Sequence, residues 1–419
     1  MRFTTIDSFL LYNIIMILET CERVTDVVSL CGGGIPAVFY ATGILYSMHK
    51  SGKLLQTVDG VQILNKSLLI TGSSGGTIPL LILQCVLNNN LQNSRDDWFE
   101  HYIIKYIDMI QSINMVQLYI ASLLKSMCVY MGIYSEIVRI CNDTINKIIT
   151  DVIPPEIANG KQLVFKNDTC SQIRYNYVVD SAFNDSPIVS NDFTHLNGVN
   201  LVTQVSEIIT TCCIAISFSY LKNGTLNDAA LLVDNDILSL DSYVNLKNIY
   251  YYSLTAYDAK TNNSYREPNL FSLNSYADRS SRIYNYRAIN NLRQYASNKT
   301  DSGHPIKFNL ITFPNKYEPI LKYNNKIYKD LVPNIFYQND FPELMTFLGI
   351  FNGDSRMLSL MFLIGAFETM NIHGISGEVA DKLTDTLPTS YKQTLADPYN
   401  VYFKQDPLSV FGRILFKKF

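Results

Sequence analysis

The sequence predicts an α/β fold with a mostly parallel central sheet, and three observations predict it. A β-branched apolar run at Val24–Leu30 (VTDVVSL) ends in Cys31-Gly32-Gly33-Gly34 and is followed by helical spacing at Ala37–His49. A second apolar run at Ser67–Thr71 (SLLIT) ends in the glycine-rich turn Gly72–Gly76 and is followed by a second apolar helix, to about Leu87. Later runs at Tyr175–Val179, Ile249–Leu254 and Lys307–Phe313 have strand character. Strands that alternate with helices pair in parallel, because each crossover returns the chain to the same edge.

The remaining elements follow in order. Phe9–Leu18 reads as a short buried or interfacial helix. Arg2 alone makes a weak basic region, Asn13 interrupts the apolar run, and no small-residue cleavage site follows, so a signal peptide does not fit. Ser67–Leu87 is uncharged and of transmembrane length. Its central Gly-Ser-Ser-Gly-Gly and Pro79 suit a strand, a turn and a buried helix instead, with proline near the helix start, where it is tolerated. Residues from about 96 to 155 read as a helical insertion, with apolar positions recurring at three and four (Ile103, Ile104, Ile107, Ile110). Leu201–Ile214 has a helical pattern and Leu231–Val233 a strand pattern. Ala256–Pro305, rich in Asn, Ser, Tyr and Arg, reads as irregular surface. Phe341–Phe351 and Ser355–Met370 are apolar helices in a C-terminal helical region of about 338–419. No repeat or linker divides the chain, so one domain, 1–419, is expected, with its core at about 24–90 and 160–315.

Composition narrows the function classes. With 47% hydrophobic and 17% charged residues, the chain can bury a large core and still leave apolar surface for a lipid. A net charge of −3 without a basic stripe argues against nucleic-acid binding. The eight cysteines show no CxxC pair, and Cys212 and Cys213 are adjacent, which suits neither a disulfide framework nor zinc. A reducing, cytoplasmic setting is expected. The five histidines are scattered, so no metal site and no cofactor are expected.

Three elements carry chemistry. Gly72-Ser73-Ser74-Gly75-Gly76 matches G-x-S-x-G between an apolar strand and an apolar helix. In such a nucleophile elbow the central serine takes a strained backbone, and its neighbours are small so that strand and helix can approach. Gly32, Gly33 and Gly34 also lie between a strand and a helix, where exposed backbone N–H groups can hold the charge of a tetrahedral intermediate. The run lacks the G-x-G-x-x-G spacing and the lysine of phosphate-binding loops. In a parallel sheet both turns lie at the carboxyl edge and can meet. The third element is a base. His195, before Asn197-Gly198, is the histidine candidate. The carboxylate candidate is Asp228, in Asn227-Asp228-Ala229-Ala230-Leu231-Leu232-Val233, where an acid and two small residues precede an apolar run.

In order and spacing, VVSLCGGGIPAVFYATGILYSM, LLITGSSGGTIPLLIL and TTCCIAISFSYLKNGTLNDAALLVDNDIL resemble the three blocks of the patatin-like phospholipase family. The resemblance covers Val24–Asn90 and Val205–Leu238. It implies a three-layer α/β/α sandwich and a Ser–Asp dyad without histidine. Ser74 would be the nucleophile, Asp228 the base, and the amides of Gly32, Gly33 and Gly34 the oxyanion hole. The implied activity is hydrolysis of fatty-acyl esters in lipids or phospholipids, through an acyl-enzyme, with peripheral membrane contact. Three positions depart from the family pattern: Pro36-Ala37 stand where a basic residue and glycine are usual, Gly75 follows the nucleophile, and Ala229 follows the acid. These departures support the alternative, a catalytically silent patatin-like fold that binds lipid or protein. The sequence carries no signal for an oligomeric state.

Overall fold

A computed structural model describes residues 22–32, 34–110, 172–176, 178–180, 189–190, 226–228, 240–253, 289–312 and 355–373. In chain order the elements are β1 (Asp26–Leu30), α1 (Gly34–Lys50), β2 (Leu55–Val58), β3 (Val61–Leu64), β4 (Leu68–Ser73) and α2 (Thr77–Asn88). A π-helical segment (Phe99–Ile104) then runs into α3 (Lys105–Ile110). They are followed by β5 (Ile173–Asn176), β6 (Val178–Asp180), β7 (Val189–Ser190), β8 (Leu226–Asp228) and β9 (Asn248–Ser253). Helix α4 (289–301), β10 (Lys307–Thr312) and α5 (Ser355–Ile372) complete the set.

The main sheet has five strands in the order β10-β9-β1-β4-β5. Every pairing in it is parallel. The chain moves outward from β1 to β4 and β5, then returns to lay β9 and β10 on the other side of β1. That reversal makes the carboxyl ends of β1 and β9 a topological switch point, the place where open α/β sheets bind ligands. β2 and β3 form a separate hairpin, and β7-β6-β8 a small antiparallel sheet.

Helices cover both faces. On one, Val27, Leu69, Ile249 and Tyr251 pack with Ile289, Leu292 and Ala296 of α4. One residue along β9, Tyr252 points the other way. Its ring centroid lies 6.3 Å from that of Tyr40 in α1, and its hydroxyl is 3.2 Å from Thr369 Oγ1 in α5. The expectation of an α/β fold with a mostly parallel sheet therefore holds. Helix α1 is buried on every side from Ala37 to Met48. That explains its lack of a polar face: it is sandwiched between the sheet and α5. The α1–α5 crossing is a backbone contact. A Cβ on Gly43 would lie 1.9 Å from the Phe362 carbonyl oxygen, and one on Gly365 would lie 2.2 Å from that of Tyr40.

Several local expectations change. Residues 289–301 are helical, not irregular surface. Ile289, Leu292 and Ala296, spaced by three and four, form the buried stripe of α4, which the polar residues around it obscure in the sequence. The run Tyr175–Val179 is not one strand. It divides between β5, paired with β4, and β6, which belongs to the small sheet. The β2–β3 hairpin had no counterpart in the sequence reading. Its turn, Asp59-Gly60, has positive φ at both residues (50° and 79°), the geometry of a tight two-residue hairpin. The helices expected at Phe9–Leu18, Leu201–Ile214 and Phe341–Phe351, the strand at Leu231–Val233 and most of the helical insertion lie outside the described residues. Among the described residues, no helix is long and apolar enough to cross a membrane.

The α1–α5 contact sets an expected outcome. Gly43→Ala should lower stability by about 2–4 kcal/mol, because its methyl meets backbone that cannot step aside. Leu292→Ala should cost about 2–5 kcal/mol by opening a cavity under the other face. Urea denaturation midpoints check both.

Candidate active site at the carboxyl edge of the sheet

β4 is buried along its whole length. Ser73 is still extended (φ −119°, ψ 141°), and Ser74 then turns the chain with φ 47°. Ser74–Gly76 form a single 3-10 turn, and α2 begins at Thr77. Pro79 falls in the first turn of α2, where its missing N–H costs nothing. Among the described residues, only Asp59, Ser74 and Asn90 combine a side chain with positive φ. Asp and Asn tolerate that region by bonding their own backbone, whereas for serine it is strained and must be held by its surroundings.

The flanking glycines show what holds it. A Cβ on Gly72 would lie 2.7 Å from Leu80 Cδ1 and 2.8 Å from the Gly76 carbonyl oxygen. A Cβ on Gly76 would lie 2.5 Å from the Cys31 carbonyl oxygen and 3.1 Å from that of Leu30. Both ends of G-x-S-x-G are thus close backbone approaches that other residues cannot make. Thr77 Oγ1 donates to the Gly72 carbonyl across the elbow at 3.3 Å, and Thr71 Oγ1 donates to Ser29 Oγ at 2.9 Å between β4 and β1.

These contacts bring the two glycine turns together. β1 and β4 are neighbours with Leu30 opposite Gly72, so both turns leave the same sheet edge at the same height. Gly76 then rests on the carbonyls of Leu30 and Cys31. Cys31 and Gly32 are buried, and Gly34 opens α1. Gly33 lies outside the described residues. Ser74 itself has no solvent exposure.

Asp228 is placed by its backbone alone. It ends β8 instead of preceding a strand, and it pairs with Val178 of β6. β5 ends at Asn176, which pairs with Ser73. Two strand pairings and one step of two residues therefore separate Ser73 from Asp228, which bounds their Cα separation at roughly 18 Å. The pairings thus keep the Asp228 backbone within that distance of Ser73. Its carboxylate, like His195, is outside the described side chains.

Of the four described histidines, His49 and His373 are committed to packing, and His101 is edge-on to Tyr102 with centroids 4.8 Å apart. His49 is stacked on Phe99 (centroids 5.2 Å apart, planes 10°) and edge-on to Trp98. Burial pulls its pKa down to about 3, so it is neutral packing material. His373 ends α5 against the Tyr250 ring, and burial lowers it to about 4. Its neighbours Lys53 and Asp26 put it by the start of β1, at the edge away from Ser74. His304 is exposed after α4. Among the described residues, no group of three or more His, Cys, Asp or Glu could hold a metal ion.

A buried acid escaped the sequence reading. Glu368 of α5 is 4% exposed and accepts a 2.5 Å hydrogen bond from the Tyr40 hydroxyl of α1. Burial pushes its pKa up to about 8, and the Tyr40 bond only partly offsets this. Its sequence signal was a lone charge inside the apolar run LIGAFETMNI, where a charge is expensive to bury.

No model of a known protein family matches the chain, and no curated protein sequence matches it.

The strained serine has a measurable consequence. Ser74→Gly should raise stability by about 1 kcal/mol, because glycine relieves the positive φ, while Ser74→Ala should bring no such gain. Paired urea denaturation curves check this; a less stable glycine variant would remove the strain argument.

Proposed function

We propose that the chain is a lipid acyl hydrolase of the phospholipase A or lipase type, with Ser74 as nucleophile and Asp228 as base. The observation that carries this reading is the left-handed backbone of Ser74, at a buried strand-to-helix turn packed against the glycine turn after β1. A linker serine has no reason to hold that conformation, whereas a nucleophile elbow requires it. The resemblance to patatin-like phospholipases supplies the dyad and the substrate class. An ester reaching an unexposed serine in an apolar core must leave water, which suits a fatty-acyl chain. On this reading the protein works in the cytoplasm, in peripheral contact with membranes.

In this mechanism Asp228 takes the Ser74 hydroxyl proton as the oxygen attacks the ester carbonyl. The amides of Gly32, Gly33 and Gly34 hold the oxyanion. The tetrahedral intermediate expels the alcohol, which leaves with the proton from Asp228, and an acyl-enzyme remains. Water then gives a proton to Asp228 and attacks the acyl carbonyl. The fatty acid departs and Ser74 regains its proton.

Pro36 and Ala229 favour a second reading, lipid binding without turnover. A fluorophosphonate probe separates the two. The folded parent should take the label and Ser74→Ala should not, and Asp228→Asn should slow labelling by about 10²–10⁴-fold. A folded parent that takes no label, yet binds phospholipid vesicles as well as Ser74→Ala does, would leave only the binding reading.

A further inference from the structure

Thr77 contacts the strained turn on both sides of Ser74. It opens α2 directly after the 3-10 turn and has no solvent exposure. Its backbone N–H donates back to the carbonyls of Ser74 and Gly75, on the helix side of the turn. Its side chain reaches the strand side, where Oγ1 donates to the Gly72 carbonyl at 3.3 Å. A hydroxyl at a helix start usually caps its own helix. Here the cap position is Gly76, which makes no side-chain cap bond, and the hydroxyl one residue later turns out of the helix. The buried threonines of α1 and α5 behave differently. Thr42 Oγ1 donates to the Val38 carbonyl and Thr369 Oγ1 to that of Gly365, each four residues back in its own helix. Thr77 instead spans five residues, from helix to strand, and Ser74 lies inside the span. Leu80, one turn further along α2, packs on the same glycine: a Cβ at 72 would lie 2.7 Å from its Cδ1. Packing alone has no need of the hydroxyl, since valine has the same branched shape and buries no polar atom.

We propose that Thr77 is a positioning residue for the nucleophile: its hydroxyl ties α2 to the Gly72 carbonyl and so holds the Ser74 backbone at positive φ. This role rests on the hydrolase reading of Ser74. A strained φ persists only where the contacts around it outweigh its cost. The missing Cβ atoms at 72 and 76 permit the close approach, and the Thr77 bond draws the two arms of the turn together. Without that bond the arms part, Ser74 relaxes, and its oxygen leaves the position that the glycine amides after β1 serve. A displacement of about 1 Å at the reacting atom lowers a rate by about a hundredfold. Thr77 handles neither the ester nor the proton, and acts through the Ser74 backbone.

The test uses Thr77→Val, which removes the hydroxyl at constant shape, and Thr77→Ser, which keeps it. Fluorophosphonate labelling rates are compared for the parent and both variants. Urea midpoints are compared for Ser74→Gly in the parent and in the Thr77→Val background. Thr77→Val should label roughly ten- to a hundredfold more slowly than the parent, and Thr77→Ser should recover most of that loss. The midpoint gain from Ser74→Gly should shrink by roughly half or more in the Thr77→Val background, because the strain that glycine relieves has already been released. A purely structural loss at Thr77 would leave that gain unchanged. Equal midpoint gains in the two backgrounds, Thr77→Val labelling as fast as the parent, or Thr77→Ser labelling as slowly as Thr77→Val each overturn the positioning role and leave the hydrolase reading standing. A folded parent that takes no label overturns the hydrolase reading, and with it the role in positioning a nucleophile, even where the midpoint gains differ.

Discussion

Gly76 rests on the carbonyls of Leu30 and Cys31 with no room for a single carbon, and the rest of the edge is arranged around that contact. Parallel pairing brings the ends of β1 and β4 to one side, and the register of Leu30 with Gly72 sets them level. Pairing alone would leave two loops side by side. The missing Cβ at 76 lets one loop sit on the other, and the missing Cβ at 72 lets α2 fold back over β4. Ser74 lies between these two approaches, and its positive φ follows from them. A strained φ of this kind costs of order 1–3 kcal/mol. Fully buried β4 before the turn, and β1 beside it with only Asp26 partly exposed, over-determine its path.

The same device recurs a layer away. Gly43 and Gly365 let α1 and α5 cross at backbone distance, which makes α1 a buried central helix. A helix enclosed in this way transmits the position of its neighbours to its own first turn. Here that first turn follows the glycine run. Glu368 is the buried acid described in this layer, beside the buried hydroxyls of Thr42, Ser47 and Thr369, and its bond to Tyr40 ties α5 to α1.

The elements around this edge were legible because they carry undiluted signals. VTDVVSL and SLLIT are continuous apolar runs ended by glycine, and the structure starts and stops β1 and β4 within two residues of them. The strand-to-helix turn at Gly72–Gly76 was legible for the same reason, since its small residues separate one apolar run from the next. Signals failed where composition masked periodicity. The buried stripe of α4 is three residues in a mostly polar segment, INNLRQYASNKTD, so its polarity outweighed its spacing. The boundary between β5 and β6 was hidden because YNYVV is uniformly strand-like, and only pairing assigns its halves to different sheets. Glu368 was read as part of an apolar helix. The lone charge in LIGAFETMNI marks it as unusual, but the partner that accounts for it, Tyr40, lies more than three hundred residues away in sequence.

The choice of base turns on what surrounds each candidate. A histidine general base works when its pKa sits near the working pH. Burial drives His49 to about 3 and His373 to about 4, and aromatic rings occupy the faces of both. Moving either to Ser74 would mean dismantling the packing that defines it. A carboxylate near the edge has no such handicap, since it is ionised at neutral pH wherever water or donors reach it. Glu368 does not qualify, because burial keeps it protonated there and its hydrogen bond is already committed to Tyr40. Asp228 is linked to β5 by a different route, through the β5–β6 step and the pairing of β6 with β8. On the hydrolase reading, the small antiparallel sheet serves to hold an acid distant in sequence near the turn after β4.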